Sequence, residues 1–304
     1  MSQVFDIANA YVEAHADLDP MSATFSGIAG RDDRLTDVSP EGIAARAELD
    51  RRTLSQLAAA TIESDDDRLA RDFMTNRLQT SLAIHDAGDH WSMLSTLASP
   101  HVDLFGVLNQ MPLETDEHWQ AVLSRLEQAP WFLTGFRATL EKGLALGKPA
   151  SRRLAMECAT QAKTWSGQGQ PQSFFRSLVA GHKGSLHASL GAAADAAAAA
   201  FADLATYLEE VYAPQATPGD GVGPDMYQRY SREWNGCELD LHQTYDWGWQ
   251  ELHRINNEMR TTAERIKPGS SPQEAMELLN TDPARSIDGV EAYQAWLQEL
   301  HDQV

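Results

Sequence analysis

Apolar residues recur at helical spacing along almost the whole chain, and no convincing run of alternating β-branched residues interrupts them. That pattern excludes most folds built on sheets and demands packed amphipathic helices. Trp119, Val122, Leu123 and Leu126 fall at i, i+3, i+4 and i+7, and Leu133, Phe136, Leu140 and Leu144 continue the stripe until Gly147-Lys148-Pro149 stops it. Phe201, Leu204, Leu208 and Val211 mark another helix, halted before Pro214. The longest stripe runs through Leu241, Tyr245, Gly248, Leu252, Ile255 and Met259, with Gly248 offering a point of close approach for a neighbouring helix. The Ala-rich stretch 192–200 has high helix propensity and reads as helix. Start signals agree: Ser271-Pro272-Gln273-Glu274 is a capping box with Pro at the first helical position, Ser39-Pro40 opens a helix, and Thr115–His118 and Asp288–Glu291 have capping spacing. The expected fold is all-α, a multi-helix bundle of long amphipathic helices. Breaks are expected at 165–171 and at 214–224, the second dividing an N-terminal helical region, 1–213, from a second helical region, 214–304.

Charge narrows the function classes. The 304 residues carry 44 acidic and 24 basic side chains, a net charge of -20. A polyanion needs Lys and Arg to neutralise it, so nucleic acid and anionic membrane surfaces are poor partners. The excess is read as a solvated acidic surface. The run Glu63 to Asp67 fits that reading and sits just before a helix, where carboxylates suit the dipole. No stretch reaches the roughly 18 to 20 uncharged apolar residues of a membrane span; the nearest, 191–205, contains Asp195 and Asp203. The first residues form an amphipathic helix with Asp6 and Glu13 and lack the basic start of a signal peptide. With only Cys158 and Cys237, reduced thiols in the cytoplasm are expected.

Candidate chemistry is sparse. A zinc peptidase commonly places two His four apart on a helix with a Glu between them, so that both imidazoles face the metal and the carboxylate activates water. None of the ten histidines forms His-Glu-x-x-His. The densest cluster, His85-Asp86-Ala87-Gly88-Asp89-His90, reads as a capped helix end with surface polarity, because Gly88 weakens the helix across it. Glu238, His242, Asp246 and His253 form a polar flank of the long helix. Gly219 to Gly223 lacks the preceding strand and following Lys-Ser/Thr of a phosphate loop. Cys158 lies within a helical pattern, as a packed thiol does, and no Gly-x-Ser-x-Gly elbow is present. Trp234, Tyr245, Trp247 and Trp249 suit helix packing, with a substrate cleft as the alternative.

Four stretches together carry a resemblance: LDPMSATFSGIAGRDDRLTDVSPEG (18–42), SPHVDLFGVLNQM (99–111), LEKGLALGKPASRR (140–153) and VGPDMYQRYSREWNGCELDLHQTYDWGWQELHRINNEM (222–259). In this order and spacing they resemble the bacterial family known only as domain of unknown function 885. The resemblance implies long helices around a deep cleft, similar to zinc-dependent carboxypeptidases, with a His-Glu motif and a later Pro-Gly-His-His in the second half. Neither motif occurs in these residues, so no family metal ligand maps onto a position here and no cofactor is expected in this chain, zinc being implied for the full-length family. The expectation is the N-terminal half of a metallopeptidase-like hydrolase, inactive alone, whose partners are the missing C-terminal half, a second copy through self-association, or a peptide substrate. The alternative is a non-catalytic helical binding module. Tyr227, His242, Tyr245 and Trp249 are the candidate cleft residues. Far-UV circular dichroism of the purified chain should be dominated by helix; a mainly β spectrum would refute both the fold class and the resemblance.

Overall fold

A computed structural model describes residues 2–303. The chain forms α1 (Gln3–Leu18), α2 (Pro20–Phe25), α3 (Pro40–Ala59), α4 (Asp65–Ala87), α5 (Pro100–Gln110), α6 (Asp116–Ala145), α7 (Arg152–Ser166), α8 (Phe174–Val179), α9 (His187–Tyr207) and α10 (Pro224–Asn235). These are followed by α11 (Leu241–Ile266), α12 (Pro272–Thr281) and α13 (Val290–Asp302). Among the described residues there is no strand, only an isolated bridge between Ser151 and Thr217. The all-α expectation therefore holds.

Two compact units divide the chain, Met1–Glu238 and Leu239–Val304. The 214–224 loop does not separate them. It lies inside the first unit, because α10 beyond it packs against α4, where Arg77 pairs with Glu233 and also donates to its carbonyl at 2.6 Å.

The core of the first unit is built on α6 and α9. Leu126, Phe132, Phe136 and Leu140 of α6 are almost wholly buried, as the spacing predicts. Thr115 and His118 close its start reciprocally, as a capping box. The Ala-rich stretch is the inner helix α9, which packs on α6, α7 and α8. Its Ala193, Ala194 and Ala197 and the Ala155, Ala159 and Ala162 of α7 are all buried, and small side chains of this kind let helix axes approach. By length and composition the rod His187–Gln215 could cross a membrane; in this fold Leu190, Phe201 and Leu204 place one face of it in the core. A single π turn, Leu208–Tyr212, extends it, and the Tyr212 hydroxyl accepts from the Ala150 amide at 2.7 Å.

Segment 26–38, which follows α2, has no regular structure and borrows hydrogen bonds from α6. Arg125 is 0% exposed. Its Nε donates to the Arg34 carbonyl at 3.0 Å and its Nη2 to Thr24 Oγ1 at 2.6 Å. Gln128 donates to the Asp33 carbonyl at 2.8 Å and accepts from the Leu35 amide at 3.0 Å, and Thr139 donates to the Val38 carbonyl at 2.8 Å. Burial lowers the Arg125 pKa to about 10, so it remains charged at neutral pH.

In the second unit, α11 and α12 meet through buried Ala263 and Ala275. The stripe Tyr245, Leu252, Ile255 and Met259 is otherwise exposed, and α13 buries none of its side chains. Gly248 does not mark a helix crossing: a β-carbon there would meet nothing within 4 Å. The start of α13 is capped by the Gly289 position without a side-chain bond, and not by Asp288.

Gly143 is a glycine that close packing does require. A β-carbon on it would overlap the Trp91 carbonyl oxygen, which is backbone and cannot swing away. Gly143→Ala should lose about 2 kcal/mol in urea unfolding, since overpacking of up to about 3 kcal/mol outweighs a helix-propensity gain of about 1 kcal/mol. Gly106→Ala on α5 is the control: its new methyl would meet only Phe25 at an ordinary 3.6 Å, so stability should hold or rise.

Candidate functional site

The segment 85–92 turns a helix end inward. Gly88 adopts φ +71°, and its amide closes α4 on the His85 carbonyl at 2.8 Å. A 3-10 turn, Asp89–Ser92, follows. Asp89 receives Arg229 of α10 in a two-pronged pair at 2.6 and 2.7 Å. His90 stacks on His85 with ring centroids 4.9 Å apart and contacts Trp91 at 3.9 Å. The helix end is as expected, but the surface polarity is not. Asp89 and His90 are buried, because the Trp91 backbone seats on Gly143 of α6 and α10 covers Asp89. Asp86 remains outside and pairs with Arg51 at 2.5 Å.

His90 faces a cavity of about 390 Å³ whose apolar wall includes Met21, Phe25, Phe132 and Phe136. The polar groups on it, besides His90, are Asp19, Ser22, Thr36, Arg46, Asp103 and Thr139. Its size lies at the small end of ligand pockets, and a mostly apolar wall with a few polar groups is their usual make-up. A second cavity of about 220 Å³ shares Asp19, Ile43, Arg46 and His90 and adds Tyr11 and Asp50. Asp50 is held there by the Tyr11 hydroxyl at 2.9 Å and the Ser81 hydroxyl at 2.9 Å. Asp19 caps α2, accepting from the Ser22 amide at 3.1 Å and from Thr36 Oγ1 at 2.6 Å. Arg46 is anchored through Nη1 to the Asp37 carbonyl at 2.7 Å. Burial lowers its pKa, opposed by Asp19, Asp37 and Asp50 nearby.

Neither ring nitrogen of His90 has a hydrogen-bond partner, and the residue is 6% exposed. Loss of solvation, with the charges of neighbouring His85 adding to it, pushes its pKa down to about 4. Asp103 moves the other way, to about 6: although it is an exposed residue, its carboxyl is partly shut off from solvent and lies near Asp19. His101, buried between Ser99 Oγ at 2.8 Å and Gln161 Oε1 at 3.3 Å, is lowered by burial to about 4. Cys158 is a packed thiol, raised by burial to about 12.

The candidate cleft residues lie elsewhere. Tyr227 is exposed on α10 in the first unit, and His242, Tyr245 and Trp249 lie exposed along one face of α11 in the second. Tyr245 and Trp249 meet edge to face at 6.2 Å, and Trp249 contacts His253 at 6.0 Å. Sequence reasoning missed Asp19, Arg46 and Asp103, which come from three helix ends or faces with no shared spacing; only His90 stood in a cluster singled out beforehand. Among the described residues, no three His, Cys, Asp or Glu converge as a metal ion requires. The side chains present therefore do not fit the zinc that the family resemblance implies.

The profile of the family described as "Bacterial protein of unknown function (DUF885)" matches residues 20–304. The chain belongs to this family. No curated protein matches the chain. Several solved structures share its fold, two of them as follows. One is "the putative lipoprotein from Colwellia psychrerythraea", with TM-score 0.75 and 16% identity over 99% of this chain and 58% of that one. The other is "a putative lipoprotein of unknown function from Shewanella oneidensis", with TM-score 0.69 and 15% identity over 100% of this chain and 57% of that one. The chain thus spans under two thirds of the length of either.

Two of the buried histidines, His90 and His101, set a pH dependence. Folded, they take a proton only near pH 4; unfolded, near 6.5. The unfolded chain binds more protons between those values, so stability should fall as pH drops from about 6.5 to about 4, by a few kcal/mol in all. Asp103, raised from 3.8 to about 6, acts oppositely over its own range and offsets part of the loss. Urea midpoints at pH 7 and 4.5 check this, and His90→Phe should flatten the difference.

Proposed function

We propose that this member of the family forms the helical scaffold of a metallopeptidase-like hydrolase, with zinc and the general base supplied by residues beyond these 304. The observation that carries the reading is that two solved proteins of this fold are much longer than the matched stretch, which fills 58% and 57% of them. The four ordered motifs and the long-helix architecture support it. Tyr227 on the first unit, and His242, Tyr245 and Trp249 on the second, are proposed as substrate-facing side chains. Their exposure suits contact with a peptide, since aromatic rings left open to water gain most from covering. The apolar stripe of α11 is the surface a missing half or a second copy would meet. Both solved proteins are described as lipoproteins, so the cytoplasmic expectation drawn from the sequence gains no support from them.

A second reading, a non-catalytic binding module, is favoured by one feature, the cavity beside His90. Metal analysis and a peptidase assay separate the scaffold reading from an autonomous enzyme. Chain purified without an affinity tag should hold far less than one equivalent of zinc and should cleave no peptide when zinc is added. Stoichiometric zinc, or hydrolysis that a chelator abolishes, would overturn the scaffold reading.

A further inference from the structure

A buried imidazole normally has a partner on each nitrogen that can bond, because leaving one empty carries an uncompensated loss of hydration. His90 has none on either. Around it the cavity places charges of both signs without ion-pair partners among the described residues. Asp103 has no cation within bonding range, and Asp19 receives both of its bonds on one oxygen, Oδ1. Arg46 is anchored through Nη1 to carbonyls and has no carboxylate at salt-bridge distance. Between these groups the wall is Met21, Phe132 and Phe136. A plain anion would meet two carboxyls, and a plain amine would meet the guanidinium. A molecule carrying both charges on an apolar body answers every group.

We propose that this cavity is a binding site for a small apolar α-amino acid. The ammonium lies at Asp103 and Asp19, the carboxylate at Arg46, and the side chain against Phe132 and Phe136. The neutral His90 ring, one donor and one acceptor, completes its bonds on the ligand's charged end. The assignment does not depend on the peptidase reading, since every residue of it lies within the first unit.

Calorimetric titration of the full chain with L-phenylalanine, 2-phenylethylamine and 3-phenylpropionate tests it. Phenylalanine should bind saturably at one site per chain, and each of the other two, lacking one charge, about tenfold more weakly. Asp103→Asn, at an exposed residue with no partner to lose, should weaken phenylalanine about tenfold. His90→Phe keeps the ring stack and should raise the melting temperature of the free protein while weakening phenylalanine, an opposition that a purely structural histidine would not produce. Absence of saturable phenylalanine binding overturns the proposal. So does affinity indifferent to Asp103→Asn, or 3-phenylpropionate or 2-phenylethylamine binding as tightly as phenylalanine.

Discussion

A guanidinium taken wholly out of water, with no carboxylate in direct contact, turns its donors to carbonyl and hydroxyl oxygens, and the position of those oxygens is then constrained. Arg125 imposes this on the chain after α2. A buried polar group is costly when unpaired and restrictive when paired, so these bonds restrain the irregular segment 26–38. Gln128 and Thr139, one and four turns further along α6, extend the same hold. Thr36 and Val38 are thereby fixed against Phe132 and Phe136, and the cavity wall is a consequence of where α6 puts its polar side chains.

The helices themselves were legible. Stripes such as Leu133, Phe136 and Leu140 and caps such as Ser271–Glu274 are local, and local geometry is what spacing encodes. The site was not. His90 and Asp89 belong to a short polar run whose composition is that of a surface turn, and only the seat at Gly143 and the cover from α10 bury them. Asp19, Arg46 and Asp103 are separated by 27 and 57 positions in the numbering of the chain, and nothing local marks which face of each helix looks inward. The domain boundary was misplaced for a related reason. A loop rich in Gly and Pro signals a break in regular structure, whereas the pairs Arg77–Glu233 and Asp89–Arg229, which hold the next helix back, are long-range. Gly248 shows the converse: a glycine on an apolar stripe suggested a crossing where the structure has open space.

Family membership and the site differ in what they constrain. The family match and the solved relatives concern the course of the backbone, and at 15% to 16% identity they say nothing about which side chains react. The cavity beside His90 is an observation of a different kind, resting on unpartnered atoms and mixed charge. Fold likeness and local chemistry thus bear on separate questions, and either can fail without the other.

The contact between α7 and α9 has a consequence for how this protein can change. The buried residues of α7 are Ala155, Cys158, Ala159 and Ala162, and α9 buries Ala193, Ala194, Ala197 and Ala205 beside larger side chains such as Leu190 and Phe201. Most cores can drift in either direction, losing a methylene here and gaining one there. An alanine seam has almost nothing to lose, so the substitutions open to it are additions, and each addition pushes two helices apart. Variation along this seam is therefore one-sided, and the distance between the two helix axes should be among the most slowly diverging dimensions of the fold.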